Sequence, residues 1–174
     1  MEDTMYPKLV PIISFLESLR HRADLQSLES VLRDNPITPK DIITACLFHE
    51  KHYCRNKVKG SDWYDLYIMC WKPGQHSTIH DHAESSCALQ ILQGTATEIA
   101  CELTNIDKCL VRATNSISYP VHAICATQDS QIHQIRNDSE DQNLITMHIY
   151  SPPLKMNIYG FDPAHPLSLV DTTI

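Results

Sequence analysis

The sequence predicts a mainly β domain, a barrel or sandwich, preceded by a helical segment of about fifty residues. Three observations carry this. From about residue 52 the chain divides into short, evenly spaced β-prone runs, several of them alternating. Before that point apolar residues recur at helical intervals. Only four glycines occur (Gly60, Gly74, Gly94 and Gly160), and each is expected to mark a turn.

The helical part is read from two stretches. In "LVPIISFLESLRHRADLQSLESVLRDN", Ile12, Phe15, Leu16 and Leu19, then Leu25, Leu28, Val31 and Leu32, fall on one face at helical spacing. "NPITPKDIITACLFHE" follows, with Thr38 as N-cap, Pro39 at the first helical position and Asp41 in the first turn. Nothing in residues 1–50 suggests chemistry. The β region, about 52–153, is read from "WYDLYIMCW", "CALQILQG", "ATEIACEL", "KCLVRA", "HAICATQ", "QIHQIRN" and "NLITMHIYS". The tail "YSPPLKMNIYGFDPAHPLSLVDTTI" holds four of the ten prolines, and residues 154–174 are expected to form an irregular wrap. The whole is read as a single domain.

The 174 residues are 43% hydrophobic and 20% charged, ordinary for a globular chain. A formal net charge of −7 argues against nucleic-acid or anionic-membrane partners. The one apolar run near the start, "LVPIISFL", is broken by Pro11 and followed by Glu17 and Arg20, so neither a span nor a signal peptide is expected. The expectation is a cytoplasmic monomer. Seven cysteines, an odd number without C-x-x-C spacing, read as reduced thiols rather than a disulfide scaffold.

Chemistry concentrates in "GQHSTIHDHAESSCALQILQG", which sets His76, His80 and His82 within seven positions. Residues two apart on a strand share a face, so His80 and His82 would project together, as two imidazoles must to hold a borderline transition metal. A histidine pair on a solvent-facing strand would look the same, and Glu84 could join the face if the strand continued. The wider spacing is more specific. Gly74, five residues, His80-x-His82, four residues, Cys87, six residues and Gly94 resemble the first motif of the cupin superfamily, except that a glutamate there is replaced by Cys87. "QIHQIRN" gives His133 followed by Asn137, a partial second motif.

Four stretches together resemble the cysteine dioxygenase branch of the cupins. They are "CWKPGQHSTIHDHAESSCALQILQG", "IHQIRN", "YCRN" and "MHIYSPP", in family order across residues 53–153. The resemblance implies a jelly-roll barrel (double-stranded β-helix) and an Fe(II) ion held by His80, His82 and His133. It implies Arg55 and Tyr53 as substrate-binding residues, with Arg55 taking the carboxylate. A guanidinium suits that task because it grips a carboxylate through two charge-assisted hydrogen bonds. Tyr150 and His148 would be the catalytic couple, Tyr150 being joined by a thioether to Cys87, and Ser151–Pro152 would be cis. Small thiol and O2 are then the reaction partners, with L-cysteine bound through thiolate and amine and converted to cysteine sulfinic acid. Departures from the family pattern fall after "SPP", where Met156 or Asn157 replaces a cysteine, and at Thr146, where a serine is common. Another thiol such as 3-mercaptopropionate, for which glutamine commonly replaces the arginine, is the alternative substrate. A non-catalytic metal-binding cupin would explain the histidines but leave Arg55, Cys87, His148 and Tyr150 without a joint purpose. A zinc hydrolase would need a general base that only Glu84 offers.

Overall fold

The computed structural model describes residues 5–128 and 131–165. Ten strands follow the helical segment: β1 (Cys54–Gly60), β2 (Asp65–Trp71), β3 (Ile79–His80), β4 (Ser86–Gln93), β5 (Ala96–Asn105), β6 (Leu110–Tyr119), β7 (Ile124–Gln128), β8 (Ile132–Arg136), β9 (Leu144–Ser151) and β10 (Ile158–Phe161). Five of them form a sheet in the order β1-β2-β9-β4-β7, and the other five close in the order β10-β3-β8-β5-β6. The architecture is the expected jelly-roll.

Period-two alternation explains why the first sheet is buried on both faces. On β9, Ile145, Met147 and Ile149 join the apolar cluster that contains helical residues Leu9, Ile12, Leu16, Leu28 and Leu32. Leu144 and Tyr150 belong instead to the interior cluster, with Cys87 and Leu89 of β4 and Met69 and Trp71 of β2. All eight residues of β9 are buried. The helices therefore cover the back of the sheet that carries half the site.

Two α-helices form, α1 (Val10–Glu17) and α2 (Leu25–Asp34), not one long one. Asp24 caps α2, its carboxylate accepting from the Ser27 N–H at 2.9 Å. Just before it, the Ala23 N–H donates to the Ser151 hydroxyl (3.0 Å) and the Ala23 carbonyl accepts from Ser86 (2.7 Å), so strands β9 and β4 hold the break. The third helical stretch keeps its cap, with the Thr38 N–H and hydroxyl both donating to Asp41 at 2.9 and 2.7 Å. Its body, Pro39–Ala45, is 3-10 and kinked at Ile42.

Other expectations need correction. β1, which carries Arg55, was not among the β-prone runs, because "CRNKVKG" is too charged and half-exposed to read as a strand. The wrap expected over 154–174 is not irregular throughout. Ile158–Phe161 forms β10, antiparallel to β3 and parallel to β6; residues 166–174 lie outside the described ones. Gly160 sits inside β10 and Gly60 ends β1, so neither is simply a turn glycine. Gly74 and Gly94 do turn with positive φ. At Gly94 a Cβ would also meet the Asn143 carbonyl at 2.9 Å, which leaves glycine no substitute there.

Candidate metal centre and substrate pocket

The candidate site lies between the two sheets. β3 and β8 place His80 directly opposite His133 in an antiparallel pair, and His82 follows two residues after His80. The three imidazoles are buried, and their ligand atoms all lie within 4.8 Å of one another. The Nε2 atoms of His82 and His133 are 3.1 Å apart.

Each ring is fixed from behind through Nδ1. His80 Nδ1–H donates to the Thr78 carbonyl at 2.9 Å, and His82 Nδ1 bonds the Thr127 hydroxyl at 3.1 Å. His133 Nδ1 meets the Glu98 carboxylate at 2.5 Å. The Thr78 carbonyl and the Glu98 carboxylate can only accept, so His80 and His133 carry a proton on Nδ1 and turn Nε2 toward the shared space, while the Thr127 hydroxyl can donate or accept. Burial lowers the pKa of His80 to about 4 and of His82 to about 2, with neighbouring imidazoles adding to the effect. Both rings are thus uncharged at neutral pH, the state a metal requires. Three imidazole nitrogens converging in a buried pocket fit a divalent transition metal.

The other sheet supplies the facing wall. Cys87 on β4 lies directly opposite Tyr150 on β9, with their side chains hydrogen-bonded. Burial, with further contributions from neighbouring anionic groups, pushes the Cys87 thiol up and holds the Tyr150 phenol well above its usual pKa, so both keep their protons. Behind Tyr150 runs a chain of hydrogen bonds. Trp71 Nε1–H donates to the Thr146 hydroxyl at 3.0 Å, Thr146 meets His148 Nε2 at 2.8 Å, and His148 Nδ1 meets the Tyr150 hydroxyl at 3.2 Å. Burial and then the Arg55 charge lower the His148 pKa to about 3, which keeps this ring neutral too.

Arg55, on β1, reaches the same pocket, its guanidinium 5.0 Å from the centroid of the Tyr67 ring. Tyr53 stacks on Trp71, with centroids 4.2 Å apart and planes 8° from parallel. The cavity among these groups is small, about 20 Å³. That is little more than a water molecule occupies.

The structure thus brings together His80, His82, His133, Arg55, Tyr53, Cys87, His148 and Tyr150 around one cavity. It leaves out two residues weighed from the sequence. Glu84 is exposed in the turn after His82; β3 ends already at His80, so His82 too stands just beyond the strand expected to carry it. His76 stands apart, bonded at Nδ1 to Gln134 at 3.1 Å. Of the two residues in doubt after "SPP", Met156 lines the pocket, while Asn157 binds Asp81. Ser151–Pro152 is cis. Sequence reasoning missed Glu98, Thr127 and Tyr67. None of the three carried a signal that singles it out: Glu98 alternates with Ala96 and Ala100 in "ATEIACEL", but so does Glu102.

The protonation states carry a consequence for the metal-free protein. The folded-state pKa values of His80, His82 and His148 lie below the usual 6.5, so the unfolded chain binds protons that the native state refuses. Stability is therefore expected to fall as pH drops below about 6.5, each group contributing up to ~1.4 kcal/mol per pH unit until its folded value is reached. Urea midpoints of the metal-free protein at pH 7 and pH 5 check this, and equal midpoints would contradict it.

A family model described as cysteine dioxygenase type I matches residues 3–163. Similar proteins include the cysteine dioxygenase type 1 of Rattus norvegicus, 27% identical over 82% of this chain and 68% of the relative. That of Homo sapiens is 26% identical over 95% of this chain and 82% of the relative. Among solved structures, a Klebsiella pneumoniae protein with a double-stranded β-helix domain superposes with a TM-score of 0.56 at 13% identity, covering 68% of this chain and 94% of its own. TT1209 from Thermus thermophilus gives 0.54 at 15%, covering 67% and 99%. At such identities these two structures speak to fold alone.

Proposed function

Because the chain belongs to the cysteine dioxygenase type I family, we propose that it holds Fe(II) on His80, His82 and His133 and oxidises the thiol of L-cysteine with O2 to cysteine sulfinic acid. The observation that carries the reading is the placement of Arg55 and the three histidines around one small cavity. An iron ion bound there supplies the redox chemistry that activates dioxygen. The overall reaction adds both oxygen atoms to sulfur, converting R–SH to R–SO2H with no other oxidant or reductant.

The chain's own residues do the positioning. Arg55 receives the substrate carboxylate, and its charge together with the fork of N–H groups fixes orientation. Tyr67 holds the guanidinium from below. His148, itself fixed by Thr146 and Trp71, orients the Tyr150 hydroxyl toward the reacting centre. Leu89, Ile135 and Leu154 close the walls and keep water out.

The same reading includes a thioether between Cys87 and Tyr150. Its formation removes one hydrogen from the thiol and one from the ring, the two electrons passing to dioxygen. Protein turned over with iron and cysteine is expected to lose the mass of two hydrogens, and Cys87→Ser is not. An unchanged wild-type mass would count against the link. A monomer acting in the cytoplasm completes the reading; among the described residues no helix is long and apolar enough to cross a membrane.

Oxygen uptake by the Fe(II)-loaded protein with L-cysteine, 3-mercaptopropionate and cysteamine in parallel tests the proposal. Fastest uptake with L-cysteine, with sulfinate as product, supports it. Preference for 3-mercaptopropionate would overturn the substrate, and no uptake with bound iron would point to a binding protein instead.

A further inference from the structure

The three metal-facing imidazoles are not held alike. His80 leans on a backbone carbonyl and His82 on a threonine hydroxyl, both neutral. His133 alone leans on a carboxylate, Glu98, at 2.5 Å. Glu98 is only 2% exposed, on β5 facing the pocket. Its second oxygen accepts from the Tyr119 hydroxyl at 3.0 Å, and that hydroxyl in turn accepts from the Cys125 thiol at 3.6 Å.

A buried carboxylate hydrogen-bonded to an imidazole is costly unless its charge is answered. A divalent ion on the far side of that imidazole would answer it fully. The triad itself has no anionic ligand, since Cys87 stands where the cupin motif has glutamate and keeps its proton. We infer that Glu98 is the counter-charge of the metal centre, delivered through the His133 ring, which makes His133 a stronger donor than His80 or His82. Tyr119 moderates the effect, because the hydrogen bond it donates draws charge away from the imidazole. Glu98 and Tyr119 are positioning residues here, and the inference rests on the triad holding a metal as proposed above.

Two variants with opposite expected signs test it. Glu98→Gln keeps the shape and loses the charge. It is expected to bind Fe(II) and Co(II) about tenfold to hundredfold more weakly in competition with a chelator, and to raise the Fe(III)/Fe(II) midpoint potential. Tyr119→Phe, at a half-buried position, frees the carboxylate to act on His133 and is expected to tighten binding and lower the potential. If Glu98→Gln fails to fold, Tyr119→Phe still decides by its sign. Unchanged affinity and potential in both variants would overturn the inference, as would equal weakening in both, the mark of a merely structural role. Should the wild-type protein bind no metal at the three histidines, the proposed function falls and takes this inference with it. If the wild type binds iron and oxidises cysteine while the variants do not differ from it, only the inference falls.

Discussion

His82→Ala is expected to abolish tight metal binding and oxygen uptake while leaving a folded protein. Losing one of three ligands should cost more than the ~10–100-fold in affinity that loss of a ligand's hydrogen-bond partner costs. The fold should survive because His82 belongs to neither of the two large apolar clusters. Burial and the neighbouring His133, His80 and His148 imidazoles push its pKa to about 2, so the ring is neutral at pH 7 and its removal leaves no buried charge behind. Alanine leaves the Thr127 hydroxyl and His133 Nε2 without their His82 partner, groups that water can satisfy. Isothermal titration with Co(II) and a circular dichroism melt check the two halves. A variant that binds metal as tightly as the wild type would remove His82 from the centre.

The second large effect is expected at Arg55. Two charge-assisted hydrogen bonds to a carboxylate are worth roughly 3 kcal/mol at the low end, or about a hundredfold in kcat/KM. Arg55→Gln should lose that factor with L-cysteine. Cysteamine lacks the carboxylate, so its turnover should change little. The contrast between the two thiols is the measurement. An equal fall with both would mean that Arg55 supports the pocket, for instance through Tyr67, without touching substrate. Relative to L-cysteine, 3-mercaptopropionate is expected to gain.

The parts of this site that could be read from sequence share one property: they lie close together in the chain or fit a fixed spacing. His80 and His82 are two apart, as are His148 and Tyr150; a strand puts the second pair on one face, whereas β3 ends at His80 and His82 reaches the site from just beyond it. His133 and Arg55 came only with the wider family pattern, because they lie 53 and 25 positions from His80 and are brought in by the β3–β8 pair and by the facing sheet. Glu98 and Thr127 were not legible. Each looks like an ordinary polar residue of a half-exposed strand until sheet pairing turns it inward, β5 with β8 for Glu98 and β7 with β4 for Thr127. β1 and β10 were missed for a related reason. Their residues are too charged or too exposed to declare a strand, and their neighbours in the sheet, β2 for one and β3 and β6 for the other, impose the conformation. The third helix failed locally, at Ile42, despite a correctly read cap.

Strand β9 writes two messages in one line of text. Its odd positions, Ile145, Met147 and Ile149, face the helices, and its even positions, Thr146, His148 and Tyr150, face the chemistry. A library of random substitutions across residues 145–150 should therefore sort by parity alone. Damage at odd numbers would yield temperature-sensitive enzymes that work when they are folded. Damage at even numbers would yield sound proteins that do nothing.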